Sequence, residues 1–313
     1  MNKRTIRLSA TLFILISISC LLALSDSKNN SKRENLDIFQ ISDTTSILSI
    51  EISRGEDLIT ISRTDSGWTL NQKYPVDPSL IKIISNILQR VTIKRPVSRL
   101  SNEDIINEIN ETGSKITVTK KNGDNLSFSA GGNATKTIAY YLIHGENRAY
   151  IVEIPGYRNY LSGIFELTAN QWRDRKLFTS SWRTIQYLNI DYQNRDRQDV
   201  IIAFKNRFLD IEGVASMDTT ALLNYLSQYE FFQINDFLEP GGYPRYDSLK
   251  ATTPFVKLGL KDIDPDKNKQ LLIYPKIAGE RFFLVTDQTN EMMVIDEKRM
   301  KNLLVEPGQF ISK

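Results

Sequence analysis

Apolar and polar residues alternate along much of this chain, and where the alternation stops a helical spacing takes over. Leu48, Ile50 and Ile52 alternate with Ser49, Glu51 and Ser53, the period of a strand with one wet face. Gly55 then reverses the chain, Ile59 and Ile61 share a face of a second strand, Asp65-Ser66-Gly67 turns again, and Trp68 and Leu70 begin a third. Asp77 precedes Pro78 at a first helical position, and Leu80, Ile83, Ile84, Ile87, Leu88 and Val91 follow at helical spacing. The pattern predicts a three-stranded meander and a helix whose apolar stripe covers one face of it.

A short second helix is expected over Asn102 to Ile109, stopped by Gly113. Lys115 to Lys120 alternates as a strand, Asn122-Gly123 signals a hairpin, and Leu126 to Ser129 returns. Ile138 to Ile143 and Ala149 to Ile154 form another hairpin. The same order reappears about 140 residues downstream. Leu188, Ile190 and Tyr192 alternate with Asn189 and Asp191, Val200, Ile202 and Phe204 form the next run, and Phe208 to Ile211 stands where Trp68 to Asn71 stood. Asp218 can cap a helix whose stripe is Leu222, Leu223, Leu226 and Tyr229. AYYLIHGENRAYIVE from Ala139 also aligns with RFFLVTDQTNEMMVID from Arg281 after one insertion. Duplication accounts for all of this economically; the alternative is an antiparallel β-rich chain that shows such patterns without it. The fold class expected is α+β, with two tandem similar halves, each a mainly antiparallel sheet packed with one or two helices, after an N-terminal membrane helix. The halves are placed at 46–165 and 183–313, joined by a strap at 166–182.

The amino terminus reads as an export signal. Lys3, Arg4 and Arg7 precede 17 uncharged residues, Leu8 to Leu24, which as a helix would span roughly 25 Å, the lower limit for crossing a membrane. The flanking cations keep that end in the cytoplasm and send the body outward, to the periplasmic side of a bacterial cytoplasmic membrane. Three fates stand open for residues 1–25. An uncleaved signal anchor fits the length, Ala23 and Ser25 allow cleavage, and Cys20 could take a lipid, although Ser17 and the apolar Leu21 to Leu24 depart from a lipoprotein signal. Residues 26–45 then form a tether, opening with SDSKNNSKREN.

Composition narrows the chemistry. With 41% hydrophobic and 25% charged residues, the body is globular, and 313 residues suit two domains. A single cysteine excludes an internal disulfide and thiolate zinc sites. The cations of the leader and tether (Lys3, Arg4, Arg7, Lys28, Lys32 and Arg33) outnumber Asp26 and Glu34 by more than the net charge of +3, so the body is slightly acidic. No basic surface is left over to argue for nucleic acid. His144, the only histidine, cannot build a multi-histidine metal centre, and no serine lies in a G-x-S-x-G turn. Neither a phosphate loop nor a dinucleotide fingerprint is present, so no cofactor is expected. Asp262, Asp264, Asp266 and Asn268 in DIDPDKNK offer alternating oxygen ligands, but Lys267 and Ile273 replace the glycine and glutamate of a helix-loop-helix calcium site, and a hairpin turn serves equally well. Paired carboxylates could support hydrolysis, yet no spacing selects a pair.

Two segments hold candidate contact residues. Trp172 and Arg173, in ELTANQWRDRKLFTSSW, read either as a partner epitope or as a strap with a buried tryptophan and paired charges. Tyr243, Arg245 and Tyr246, in EPGGYPRYD, read either as a ligand-gripping loop or as a connector whose tyrosines fold onto the sheet.

The run DSGWTL at Asp65 to Leu70, YPVD at Tyr74 to Asp77, Trp172 to Leu177 and Ala149 to Glu153 resembles the duplicated exported domain of unknown function catalogued as four-three-four-zero. That family is similar to auxiliary parts of gliding-type ABC transport systems of bacteria. The resemblance implies a membrane neighbour, an envelope or transporter partner and no intrinsic catalysis. The expected function is therefore a non-enzymatic, membrane-tethered extracytoplasmic accessory or scaffold protein. A glycan or small-ligand binding module and a carboxylate hydrolase stand as alternatives.

Overall fold

A computed structural model describes residues 37–312 apart from 195 and 206. The leader, Cys20 and most of the tether lie outside the described residues. The chain is α+β and forms two compact units built on two large, mostly antiparallel sheets. The first comprises residues up to 73 and 78–167, the second 74–77 and 168–313.

In the first unit the strands are β1 (Ile47–Arg54), β2 (Asp57–Thr64) and β3 (Gly67–Leu70), then, after β4 (Tyr74–Pro75), which belongs to the second unit, come α1 (Pro78–Arg90), β5 (Thr92–Pro96) and α2 (Asn102–Thr112). β6 (Ser114–Lys120), β7 (Asn125–Gly132), β8 (Ala139–Ile143) and β9 (Tyr150–Glu153) complete it. The sheet order is β3-β2-β1-β6-β7-β8-β9-β5. One face carries the expected stripe: Ile50, Ile52, Ile61 and Leu70 of the strands are buried, as are Ile84 and Leu88 of the helix and Val91 after it. Leu48 is an exception, exposed because the β1–β6 ladder slips by a residue between Ile47 and Ser49 and puts Ile47 inside instead. Ile83 is also exposed, at the edge of the helical stripe. Gly55, at φ +59°, and Gly123, at φ +88°, make turns that side chains disfavour. The opposite face is covered by α2, whose Ile109, with Ile105 and Ile106, packs on Leu142, Tyr140 and Ile151.

The tether ends earlier than its sequence suggests. Phe39 and Ile41 are buried, and Phe39 meets the rings of Tyr141 at 5.2 Å and Phe128 at 5.7 Å, so residues 37–45 belong to the folded unit. The apolar stretch Ile38-Phe39-Gln40-Ile41 is too short to carry a period that reads as core.

The second unit contains α3 (Ala169–Trp172), β10 (Lys176–Phe178), β11 (Ile185–Tyr192), β12 (Val200–Lys205), β13 (Phe208–Ile211), α4 (Thr219–Ser227) and β14 (Phe232–Gln233). β15 (Asp236–Leu238), α5 (Pro244–Lys250), β16 (Val256–Asp262), β17 (Lys269–Ile273), β18 (Phe282–Asp287), β19 (Met292–Asp296) and α6 (Glu297–Leu303) follow. The sheet order is β13-β12-β11-β16-β17-β18-β19-β15. Asp218 caps α4 by accepting from the Ala221 N–H at 3.0 Å. Leu222, Tyr225, Leu226 and Tyr229 then pack on Leu188, Ile190, Ile202 and Leu258. The segment read as an inter-domain strap is integral to this unit, since α3 packs there and β10 pairs with β14. A three-residue strand and a one-turn helix are too short to announce themselves by periodicity.

Candidate functional site

The sheet of the second unit is apolar on both sides near its β15 edge. Phe282 to Val285 and Met292 to Ile295 are unbroken apolar runs, the composition of strands covered on both faces. One side joins the main core through Val285, Met293 and Ile295. On the other, Leu238, Leu284, Met292 and Val294 form a separate cluster roofed by Tyr246 and Leu249 of α5.

The sequence folds α5 into place through its preceding loop. Gly241 takes φ +82° and donates its N–H to both carboxylate oxygens of Asp247 at 3.2 Å, while Pro244 opens the helix where no N–H is needed. Tyr243 supplies the carbonyl for the Tyr246 and Asp247 N–H groups, at 2.9 and 3.0 Å. The segment expected to be a free loop is thus half helix. Its seven residues do not reach across the whole apolar patch, and a cavity of about 570 Å³ remains beside it.

That cavity gathers all three residues singled out in EPGGYPRYD. Leu238, Phe282, Val294 and the Tyr246 ring form its floor, half-exposed Tyr243 stands on one wall, and Arg245 on the rim holds Glu280 at 2.5 Å. Asp236 adds a second carboxylate, within 3.9 Å of Arg175. Burial pushes the Tyr246 hydroxyl pKa up, and the Glu280 carboxylate adds to this against the opposing pull of Arg245, so the group stays neutral and can donate. The lining holds no serine, threonine, cysteine, histidine or lysine. An apolar floor with a few polar groups at its mouth is the composition of a binding site.

Trp172 and Arg173 do not face this cavity as contact residues. Trp172 is fully buried and accepts the Asp77 N–H on its carbonyl at 2.9 Å. The Arg173 guanidinium, 7% exposed, lies between the rings of Tyr74 at 3.7 Å and Phe237 at 3.4 Å and reaches Glu291 at 2.6 Å. Of the two readings of Trp172 and Arg173, the buried tryptophan with a paired charge is the one observed, and the partner-epitope reading is not: their aromatic and cationic surface is consumed inside the second unit. Phe237 alternates with Asp236 and Leu238 on β15, so Arg173 braces the strand from the face opposite the cavity.

The other candidates have local partners. His144 is exposed and sits 3.3 Å from the Ser129 hydroxyl. In DIDPDKNK the Asp262 carboxylate accepts from the Thr184 hydroxyl at 2.7 Å and the Asp264 N–H at 3.0 Å, and Asn268 accepts from the Asp262 N–H, which closes a hairpin turn. Among the described residues no three His, Cys, Asp or Glu side chains gather where they could hold a metal ion. The carboxylates whose pKa is displaced, among them Glu166, Asp262 and Asp296, are all pushed down, because hydrogen bonds to them outweigh a burial that acts upward. No described helix is long and apolar enough to cross a membrane.

Sequence reasoning missed Asp236, Leu238, Glu280, Phe282 and Val294, which come from distant segments. The unbroken runs at Phe282 and Met292 were the available signal. No family model matches this chain, and comparison with curated proteins returns no match.

Proposed function

We propose that this chain is a non-enzymatic, extracytoplasmic accessory subunit, tethered to the bacterial cytoplasmic membrane through residues 8–24, that receives part of an envelope or transporter protein in the cavity of its second unit. The observation that carries the proposal is the open apolar floor beneath Tyr243 and Arg245, rimmed by the Arg245–Glu280 pair. An apolar anchor of a partner fits that floor, and the rim charges would fix its register. The likeness to auxiliary parts of gliding-type transport systems, carried by DSGWTL, YPVD and their companions, agrees with such a role.

The same proposal takes the two units as copies of one ancestral fold. Eight strands of the first sheet, β3-β2-β1-β6-β7-β8-β9-β5, match in order the eight of the second, β13-β12-β11-β16-β17-β18-β19-β15. The one-residue slip at Ile47 and Ser49 in the β1–β6 ladder has a counterpart at Ile185 and Tyr187 in the β11–β16 ladder. Coincident bulges are hard to obtain from alternation alone.

A photo-crosslinking side chain at Tyr243 in the full-length chain, irradiated in native membranes, tests the function. The expected result is an adduct with an envelope or transporter protein that Phe282→Glu suppresses by charging the floor. Absence of any such adduct would overturn it. A second reading, a glycan or small-ligand module, draws on the cavity volume, which lies in the usual range of about 300–1,000 Å³ for small-molecule sites. It predicts that a soluble glycan fragment competes with the adduct.

A further inference from the structure

The corresponding edge of the first unit carries a different surface. Among the described residues β5 pairs only with β9, and two hollows of about 340 and 300 Å³ open along this edge. Tyr157 lines both and is half-exposed. The cations facing them are Arg90, at the end of α1, Lys94 and Arg95 on β5, and Arg158 in the loop after β9. One carboxylate, Glu153, faces them too, and Lys94 takes it at 2.6 Å. Arg90, Arg95 and Arg158 are exposed and make no ion pair among the described residues. Between them stand the exposed apolar side chains of Ile83 and Ile138.

Unpaired arginines interleaved with an exposed tyrosine and isoleucine match the polar–apolar boundary of a bilayer. Guanidinium groups hold phosphate oxygens bidentately, and aromatic rings rest at headgroup depth. The occupant is further narrowed by where the chain enters. The Ile41 N–H donates to the Leu88 carbonyl at 2.8 Å, two residues before Arg90, and Phe39 lies 6.1 Å from the Tyr150 ring, next to Ile151 of the hollow. From Leu24 to Asp37 an extended chain reaches at most about 45 Å. A membrane anchor at residues 8–24 therefore keeps this edge within reach of the lipid surface.

We propose that the β5 edge of the first unit docks on anionic phospholipid headgroups, with Arg90, Arg95 and Arg158 holding phosphates and Tyr157 and Ile83 entering the interfacial layer. This rests on the tethering part of the function proposed above. Each cation brought against an anionic surface strengthens the association about fivefold, so three together give roughly a hundredfold.

The test uses the full chain with Cys20→Ser and Tyr157→Cys, the new thiol carrying a polarity-sensitive fluorophore, in nanodiscs of phosphatidylcholine alone or mixed with phosphatidylglycerol. A blue shift and quenching by brominated lipid are expected in the anionic discs, at least twofold weaker in neutral discs. Both should be lost with Arg90→Gln, Arg95→Gln and Arg158→Gln, whose exposed positions leave the fold intact by circular dichroism. Equal signals in both discs, or no change in the triple variant, would overturn the proposal. So would the same shift from inorganic phosphate or from poly-glutamate where anionic lipid produces none. If the chain fails to stay with the discs, the anchor is what failed, and the label is then read against preformed vesicles. There a response to anionic vesicles that the triple variant loses upholds the docking surface, and equal responses reject it.

Discussion

The β5–β9 end of the first unit and the β15–β19 end of the second have the same strand order and opposite surfaces. One is a pair of shallow hollows lined by arginines that make no ion pair among the described residues, the other an apolar cavity whose rim carries two carboxylates and one paired arginine. The helix that follows each edge strand accounts for much of the difference. α2 has 11 residues, about 16 Å of helix, and lays three isoleucines across Tyr140, Leu142 and Ile151. α5 has 7, about 10 Å, and offers Tyr246 and Leu249, leaving part of Leu238, Phe282 and Val294 uncovered. A sheet scaffold can thus stay constant while one turn of helix decides whether its outer face is closed or open.

The largest expected effect lies behind β15, where Arg173 braces the strand that floors the cavity. Arg173→Ala removes a guanidinium held by two rings and leaves Glu291 without its partner. A loss of about 3 kcal/mol from the second unit is expected, to be read from urea unfolding of the variant. A loss under about 1 kcal/mol would mean that the brace is dispensable and the two edges are less different than they look.

Next comes the closed helix of the first unit. Gly113 ends α2 so close to β7 that a Cβ would collide with the Ile109 and Ala130 carbonyl oxygens, whereas Ala251 occupies the end of α5. Gly113→Ala should cost about 1–3 kcal/mol by the same measurement, because both obstacles are backbone.

The two cores give a paired test. In the second unit Tyr225 bonds the Tyr229 hydroxyl at 2.6 Å and donates to the Leu303 carbonyl at 2.9 Å, whereas the buried Tyr141 hydroxyl of the first has no protein partner among the described residues. Tyr225→Phe should therefore cost about 1–3 kcal/mol, and Tyr141→Phe should be neutral or mildly stabilising. Equal costs for the two would remove this contrast.

The smallest effect is on acid sensitivity. Burial acts to raise the Asp262 pKa, but hydrogen bonds from the Asp264 N–H and Thr184 hydroxyl hold it below its ordinary 3.8. Its ionised form therefore stabilises the fold above the unfolded value, and that contribution is lost as pH falls through the lowered folded pKa. The stability difference between the wild type and Asp262→Asn should be flat above about pH 5 and shrink below pH 4. Glu166 of the first unit, also held down by Lys136 and Tyr160 against its burial, should follow the same trend.

The strand runs were legible because alternation at Ile50 and Ile52, or at Leu188 and Ile190, records only which face meets the core. Helix stripes were legible for the same reason, with Asp218 and Pro78 marking their starts. Leu48 was misplaced by a bulge, which one-dimensional alternation does not record. Trp172 and Arg173 could be read as epitope or as buried strap, because composition says nothing about whether Tyr74 and Phe237 come to flank Arg173.

The sequence by itself determined the α+β class and the longer strands and helices, since these follow from spacing along one segment. The tertiary structure alone decided that Leu238, Tyr246, Phe282 and Val294 would share a cavity and that Arg90, Arg95 and Arg158 would share an edge. Such groupings depend on which distant strands pair and how far a helix extends over them, and no local pattern encodes either.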